Sequence, residues 1–367
     1  MLTFSQHKLY RFKLIDRSAL ILRGFAKAPN WFILRAMSAV NDPTFVIAVR
    51  LPNWVGDVCM SLPCLQWLND QGHDLVIFGR PWAKPLVQQF NPSAFVALSG
   101  SFGADLKTVK QFRSTQRQIT HGLILPDSLS SAALFRLAGI NSAGHRHDGR
   151  SLLLKWPVPK PNAGLHASQK WWHLVKESAM RWALPTPPTQ APRVLLAISA
   201  VDAQASSQSI DAANLTGKSF ILLAPTATGL HKGQVKVWPH FASLSKALVE
   251  MGHQLVICPP PNEVAQAQAL APGATLIAPL NLGGFAALAK RSALVICNDS
   301  GVSHLAAVAG AKQITLIGVT EPSHSGPVSD NAIVMGKMGQ WPSLKAVIDV
   351  VADQVAVIAD PNNVGSA

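Results

Sequence analysis

The 367-residue chain lacks most of the marks that would assign it at a glance. It has no run of 18 apolar residues, so no ordinary transmembrane helix is expected. Its four cysteines, Cys59, Cys64, Cys258 and Cys297, show neither a Cys-x-x-Cys pair nor a Cys/His ligand spacing. They read as small buried hydrophobes in a reducing compartment, and a cytoplasmic location is expected. No Gly-x-Gly-x-x-Gly opens either half, which counts against a nicotinamide or flavin enzyme; no cofactor is expected. No Asp-x-Asp motif offers a seat for a divalent ion, and no metal site is expected. "TGKS" (216–219) lacks the first glycine of a phosphate loop, because Ala212 stands there, and a strand pattern follows it. A secretory leader is not expected either: the best apolar core near the start, "SALIL" (18–22), is short and runs straight into Arg23.

Acidic residues are also scarce. Thirty-two Lys and Arg face nineteen Asp and Glu, a net charge of +13 in a chain that is 48% hydrophobic and only 14% charged. Such a chain is globular with a basic face, suited to nucleic acid, anionic lipid or a phosphorylated sugar. The basic residues are spread out and no nucleic-acid-binding module is recognisable, so no nucleic-acid partner is expected. Residues 1–43 carry seven basic side chains, from Lys8 to Arg35, against Asp16 and Asp42, interleaved with Phe12, Leu20, Phe25 and Trp31. This basic amphipathic extension fits peripheral contact with an anionic inner-membrane surface, or a helical pair packed on the first domain.

The length suggests two domains. From residue 45, apolar strand-like runs alternate with helical patterns: 45–50, 74–79, 94–99 and 121–126 in the first half, then 219–225, 253–259, 274–278, 293–298 and 312–318. "LPTPPTQAP" (184–192) is too rich in proline for regular structure and reads as a linker. The expected fold is α/β: two Rossmann-like, doubly wound domains, 44–183 and 193–367, facing each other across a cleft. Ligands of such sheets settle beyond the carboxyl ends of the strands.

Three stretches have the residue types for chemistry. In "VRLPNWVGDVCMSLPCLQWL" (49–68), Gly56-Asp57 sits between a strand and a helix whose apolar side carries Val58, Leu62, Leu65 and Leu68. Asp57 is either a general base or a simple N-cap. As a base it has a handicap, since a helix N-terminus is expected to stabilise the carboxylate and lower its basicity. In "LVICNDSGVSHLAAVAGAKQITLIGVTEP" (294–322), a buried strand ends at Asn298 and a helix begins near Val302. The N–H groups of 300–304 would cradle an anion, with His304 as a further donor, unless Asp299-Ser300-Gly301 is only a cap and turn. In "APTATGLHKGQVKVWPHFASLSKAL" (224–248), Lys236 precedes Trp238-Pro239 and could reach the same anion from the opposite wall. An exposed Lys there could equally be a solvated charge.

Together and in this order, these stretches resemble glycosyltransferase family 9, the ADP-heptose:lipopolysaccharide heptosyltransferases. The likeness covers roughly residues 45–345, and "LPDSLSSAALFRLAGINSAGHRHDGRSLLL" (125–154) is similar to the first-domain signature of the family's heptosyltransferase II branch. The resemblance implies a GT-B fold, an ADP-heptose donor held mainly by the second half, and a phosphorylated lipopolysaccharide inner core as acceptor. It also implies an inverting transfer. The family's catalytic aspartate falls on Asp57 and its phosphate-loop lysine on Lys236, with Lys232 as a rival because the "GLHKGQVK" loop is long. Its Asp-Ser/Thr-Gly-x-x-His motif falls on Asp299, Ser300, Gly301 and His304. A ribose-binding glutamate corresponds to Glu263, although Pro259-Pro260-Pro261-Asn262 replaces the usual glycine-rich turn.

For the acidic acceptor, Arg146 and Arg150 are candidates, with Lys155, Lys107, Lys110, Arg113 and Arg117 behind them. Each is otherwise a solvated surface charge. His145 and His147 form only a weak metal-like pair. Trp171 and Trp172 would stack on sugar or acyl chains, or pack beneath the linker. Rival functions are a type I or III heptosyltransferase acting on another core acceptor, and a non-catalytic polyanion-binding protein of the same fold.

Overall fold

The computed structural model describes residues 44–359 except 117, 162, 163 and 232, so the readings of 1–43, Arg117 and Lys232 fall outside the described residues. Thr44 onward forms one compact unit built on two six-stranded sheets, both wholly parallel. The first holds β1 (Val46–Arg50), β2 (Asp74–Gly79), β3 (Ala94–Ala97), β4 (Ile119–Ile124), β5 (Ser142–Arg146) and β6 (Trp156–Pro159), in the order β3-β2-β1-β4-β5-β6. The second holds β7 (Ile221–Ala224), β10 (Leu255–Ile257), β11 (Thr275–Leu276), β12 (Leu294–Asn298), β13 (Gln313–Leu316) and β14 (Ala332–Met335), in the order β11-β10-β7-β12-β13-β14. A short antiparallel hairpin, β8 (Leu230–His231) with β9 (Gln234–Val235), stands in the loop before Lys236.

The central strands are buried on both faces, as helices on either side of a parallel sheet require. Ile47, Ala48 and Val49 of β1 and Val295, Ile296 and Cys297 of β12 have no exposed surface. All four cysteines are free and buried. The helices that place the site are α1 (Val55–Asp70), α2 (Ala167–Arg181), α3 (Ala200–Ala212), α4 (Leu282–Arg291) and α5 (Gly301–Ala309). One apolar core runs from Ile47 and Leu62 through Leu305 and Ala286 to Val295, so the two sheets share a hydrophobic interior. Residues 184–199 have no regular structure. Trp172, fully inside, donates its indole N–H to the carbonyl of Pro188 at 3.0 Å, so it packs beneath that stretch.

Polar ties join the halves as well. His166 caps α2 by accepting from Ser168 N through Nδ1, and its Nε2 donates to the carbonyl of Gly326 at 3.0 Å. Gln88 donates to Asp202 in the first turn of α3, at 3.3 Å. Among the described residues no helix is long and apolar enough to cross a membrane.

Candidate active site

The strands β1 and β12 each run out at a carboxyl end and turn into a helix, and these two helix starts meet. A Cβ added to Gly56, in the first turn of α1, would lie 2.5 Å from Cδ2 of His304 in α5. A Cβ added to Gly301, at the start of α5, would lie 2.9 Å from Cβ of Val55. Neither position has room for a side chain, so the two glycines let the helices approach at their tips.

The N-cap of α1 is Trp54, with no side-chain capping bond, and Asp57 is the third helical residue. The alternative of Asp57 as an N-cap is therefore set aside. Burial pushes its carboxyl up from 3.8 to about 6, against a downward pull from Lys236. This corrects the expectation of a depressed pKa: desolvation in the crowded cleft outweighs the helix N-terminus. A carboxylate with a pKa of about 6 is a competent base near neutral pH.

Lys236 comes to the site because the residues after it are pinned. Trp238 has no exposed surface. Its backbone N–H donates to Asn298 Oδ1 at 2.8 Å, its indole N–H donates to the carbonyl of Pro342 at 2.9 Å, and Asn298 Nδ2 donates to the carbonyl of Pro225 at 2.9 Å. Asn298 thus ties both ends of the 225–238 loop to the tip of β12. Lys236 Nζ then lies 3.3 Å from Asp299 Oδ2, an oxygen that also accepts from Thr320 Oγ1. Both oxygen contacts of Asp299 are to cationic or hydroxyl donors, so it orients Lys236; a second anion would be repelled by it.

Ser300 is the N-cap of α5, its Oγ accepting from Val302 N at 3.3 Å, and its carbonyl holds the Ser303 hydroxyl at 2.8 Å. At the other end Gly310 closes the helix with φ of 75°, a left-handed conformation that suits glycine. His304 is buried; desolvation holds its imidazole below the ordinary value, Asp299 pulls the other way, and His166 and Lys236 add to the lowering. It is neutral at pH 7 and has one N–H to give.

A cavity of about 390 Å³ opens beside these groups. Its walls include Thr226 and Thr228 after β7, Glu263 after β10, and Ser300, Gly301 and Val302 at the start of α5. The first half contributes Trp54 and Trp82. Glu263, Ser300 and Gly301 are thus brought to one cavity, while Asp57, Lys236 and Asp299 cluster next to it. A second cavity of about 480 Å³ lies behind the helix contact, bounded by Cys59, Met60, Val308 and Asn331, with His304 in its wall. His304 therefore separates from Ser300 and Gly301 in the cavities they line.

The acceptor candidates do not gather in the same way. Arg146 is exposed at the end of β5, whereas Arg150 is buried, with Nη1 3.3 Å from Asp127 and Nε donating to the carbonyl of His147 at 3.0 Å. Lys155 lies over the ring of Trp156, and Lys107 and Lys110 are exposed on the 102–115 helix. His145 and His147 do not come together as a pair: His145, in β5, is buried against Asp127, and His147, just past the strand, is exposed beside Asp148. Residues missed from the sequence are Trp54, Trp82, Thr226, Asn298, Thr320, Asp127 and Lys160. Trp54, Thr226, Asn298 and Thr320 lie inside the three stretches singled out for chemistry and Asp127 lies inside 125–154, so their place in the chain was a signal; Trp82 and Lys160 had none.

Comparison with known proteins fits this geometry. The model of "Glycosyltransferase family 9 (heptosyltransferase)" matches residues 108–352, which includes Lys236, Asp299 and His304 but begins past Asp57. The lipooligosaccharide heptosyltransferase 2 of Haemophilus influenzae is 26% identical over 310 residues, covering 77% of this chain and 86% of that protein. The lipopolysaccharide heptosyltransferase 2 of Escherichia coli K12 is 25% identical over 324 residues, covering 79% and 87%. Among solved structures, ADP-heptose LPS heptosyltransferase II of E. coli superposes with a TM-score of 0.70 at 23% identity, covering 86% of this chain and all of that one. E. coli heptosyltransferase WaaC with ADP gives 0.66 at 19%. The two facing parallel sheets have the GT-B-like architecture of those structures. With the family match spanning most of the chain and both facing helix starts built as described, the protein is a glycosyltransferase belonging to glycosyltransferase family 9.

Proposed function

We propose that the protein transfers L-glycero-D-manno-heptose from ADP-heptose to the heptosylated inner core of lipopolysaccharide, with inversion at the anomeric carbon. The observation that carries this reading is Asp57: a carboxylate with its pKa lifted to about 6, facing Lys236, across from the start of α5. The nucleoside would occupy the 390 Å³ cavity, with Glu263 accepting from ribose hydroxyls. The diphosphate would lie between the first N–H groups of α5 and Lys236, with Ser300 and Gly301 forming the cradle and Asp299 orienting the lysine. His304, neutral, supports the cradle by packing on Gly56.

Asp57 takes the proton of the acceptor hydroxyl as that oxygen attacks the anomeric carbon. The carbon–oxygen bond to the diphosphate breaks, and the departing ADP carries the electron pair against Lys236 and the helix start. A single in-line displacement inverts the centre. Charge stabilisation of the leaving group comes from protein groups, so transfer is expected to continue in the presence of a chelator.

The acceptor is the finer part of the proposal, and the relatives named heptosyltransferase 2 support it. Net charge of +13 suits a phosphorylated glycolipid and peripheral contact with the anionic membrane surface that presents it. The test is ADP release from ADP-heptose by purified protein, offered in parallel unheptosylated and mono-heptosylated Kdo₂-lipid A. Turnover with only the mono-heptosylated acceptor establishes the proposal, and turnover with only the bare one moves the assignment to the type I activity. Tight ADP-heptose binding without turnover on either points to another core acceptor. Absence of binding returns the chain to a polyanion-binding role.

A further inference from the structure

Farther along the carboxyl edge of the first sheet stands a charged cluster that the transfer chemistry leaves unused. Asp127, just past β4, is met by His145 Nδ1 at 3.3 Å from β5, by Arg150 Nη1 at 3.3 Å from the following turn, and by Lys160 Nζ at 2.8 Å just past β6. Burial would raise the Asp127 carboxyl, but hydrogen bonds from His145 and Lys160 hold it well below the usual range. It is a fixed anion at every working pH.

The cluster has more cation than an ion pair needs. Arg150 alone balances Asp127, yet Lys160 is drawn to the same carboxylate. Arg150 and His145 are almost wholly buried, and Arg150 Nη2 and His145 Nε2 have no hydrogen-bond partner among the described residues. Buried charge that is incompletely paired is costly to a fold, so a purely stabilising role accounts poorly for it. The two remaining side chains face outward: Asp127 is 44% and Lys160 38% exposed. The buried Arg150 and His145 thus support an accessible carboxylate and ammonium side by side. Hydroxyls can donate to the first, and an acidic group can accept from the second.

The placement gives the ligand. Strands β1, β4, β5 and β6 are consecutive neighbours, and strands in a sheet stand about 4.8 Å apart. The mouth of the cluster therefore lies one to three strand spacings along the same edge from the tip of β1 that leads to Asp57. We infer that Asp127 and Lys160 form an acceptor subsite for an acidic sugar next to the one attacked, its hydroxyl donating to Asp127 and its carboxylate or phosphate accepting from Lys160. Arg150 and His145 are positioning residues that fix Asp127. Arg146, exposed at the end of β5, adds positive potential beside the acidic group. This inference rests on the transferase reading and names the chemistry of its acceptor.

The test measures binding of a deacylated, phosphorylated inner-core oligosaccharide to the full chain by calorimetry, without donor. K160Q changes an exposed end and should fold; its affinity for the oligosaccharide should fall about tenfold or more, the size of one charge-assisted hydrogen bond. K160R should recover most of that loss, and K345Q, a charge loss on the second half, should not show it. ADP affinity should stay as in the unmodified protein. Phosphatase treatment that erases the difference between K160Q and the parent identifies a phosphate, and carboxyl reduction that erases it identifies a carboxylate. D127N strips the buried Arg150 of its counter-charge and His145 of its hydrogen-bond partner, so it is read only together with its melting temperature. Equal binding by K160Q and the parent, or no binding by the parent, overturns the subsite. Failure of the transferase reading is distinct: intact oligosaccharide binding, with no ADP released on any acceptor.

Discussion

The two helix starts that meet in the cleft are built in opposite ways. That of α5 is finished by its own residues: Ser300 caps it, Asn298 ties the neighbouring loop down, and Asp299 is neutralised by Lys236 and Thr320. That of α1 has Trp54 as N-cap without a capping bond and an aspartate lifted toward neutrality by burial. A satisfied terminus holds a fixed anion well, because its dipoles need no rearrangement. An unsatisfied carboxylate is poised to take a proton. In the proposed transfer the difference would put donor binding on one side of the cleft and proton transfer on the other.

The sharpest way to break that contrast is Asp57→Asn. It should lower turnover by about 10²–10⁴-fold while donor affinity stays near the parent value, measured by steady-state kinetics beside ADP-heptose calorimetry. Folding disfavours the ionised form of Asp57, so its contribution to stability falls as pH rises from 3.8 to about 6. Asn at this position should therefore keep or raise the melting temperature at pH 7, the opposite of losing a cap.

Lys236→Met should cost roughly 10²–10³-fold in turnover, the usual loss for one stabilising donor at a developing anion. It carries a second signature. Turnover in the parent should drop as pH falls through about 6, where Asp57 takes up its proton; without Lys236, which pulls that pKa down, the acid limb should move to higher pH. An unmoved limb would separate the two groups.

Gly56→Ala and Gly301→Ala test the contact between the helix tips. Each added methyl meets an atom closer than 3.0 Å, His304 in one case and Val55 in the other. Each should cost about 1–3 kcal/mol of stability and lower turnover, read by melting and by kinetics. Ser300→Ala is the mildest change: loss of the cap should cost about 1 kcal/mol with a modest loss of donor affinity.

Much of the frame was legible in the sequence. The apolar runs at 45–50, 74–79 and 293–298 became β1, β2 and β12, because strands buried on both faces must be continuously hydrophobic. Three strands of the two parallel sheets were missed, besides the short β8–β9 hairpin. β5 is "SAGHR" and β6 is "WPVP". Proline is tolerated in β6 because it is an edge strand, and Gly144 gives β5 space where Leu154 packs 3.1 Å from the position of a Cβ. β14 escaped because three of its four residues are only partly buried and Val334 is exposed. The motifs at Asp57, Lys236 and Asp299 were visible as residue types at a strand-to-helix turn, but the Asp127 cluster was not. Asp127, His145 and Arg150 all lie within 125–154, where Arg150 stood as an acceptor candidate, but no spacing in the chain shows that they meet one another and Lys160 at three strand ends.

The sequence by itself determined two parallel sheets, their helix-start motifs and a basic, acid-poor surface, because hydrophobic period, turn chemistry and charge are local or additive. Only the tertiary structure decided that Gly56 faces His304, that Asp299 serves Lys236, that Arg150 is buried and that Asp57 is lifted toward neutral pH. Those outcomes depend on which groups distant in the chain exclude water from one another, and desolvation is set by packing alone.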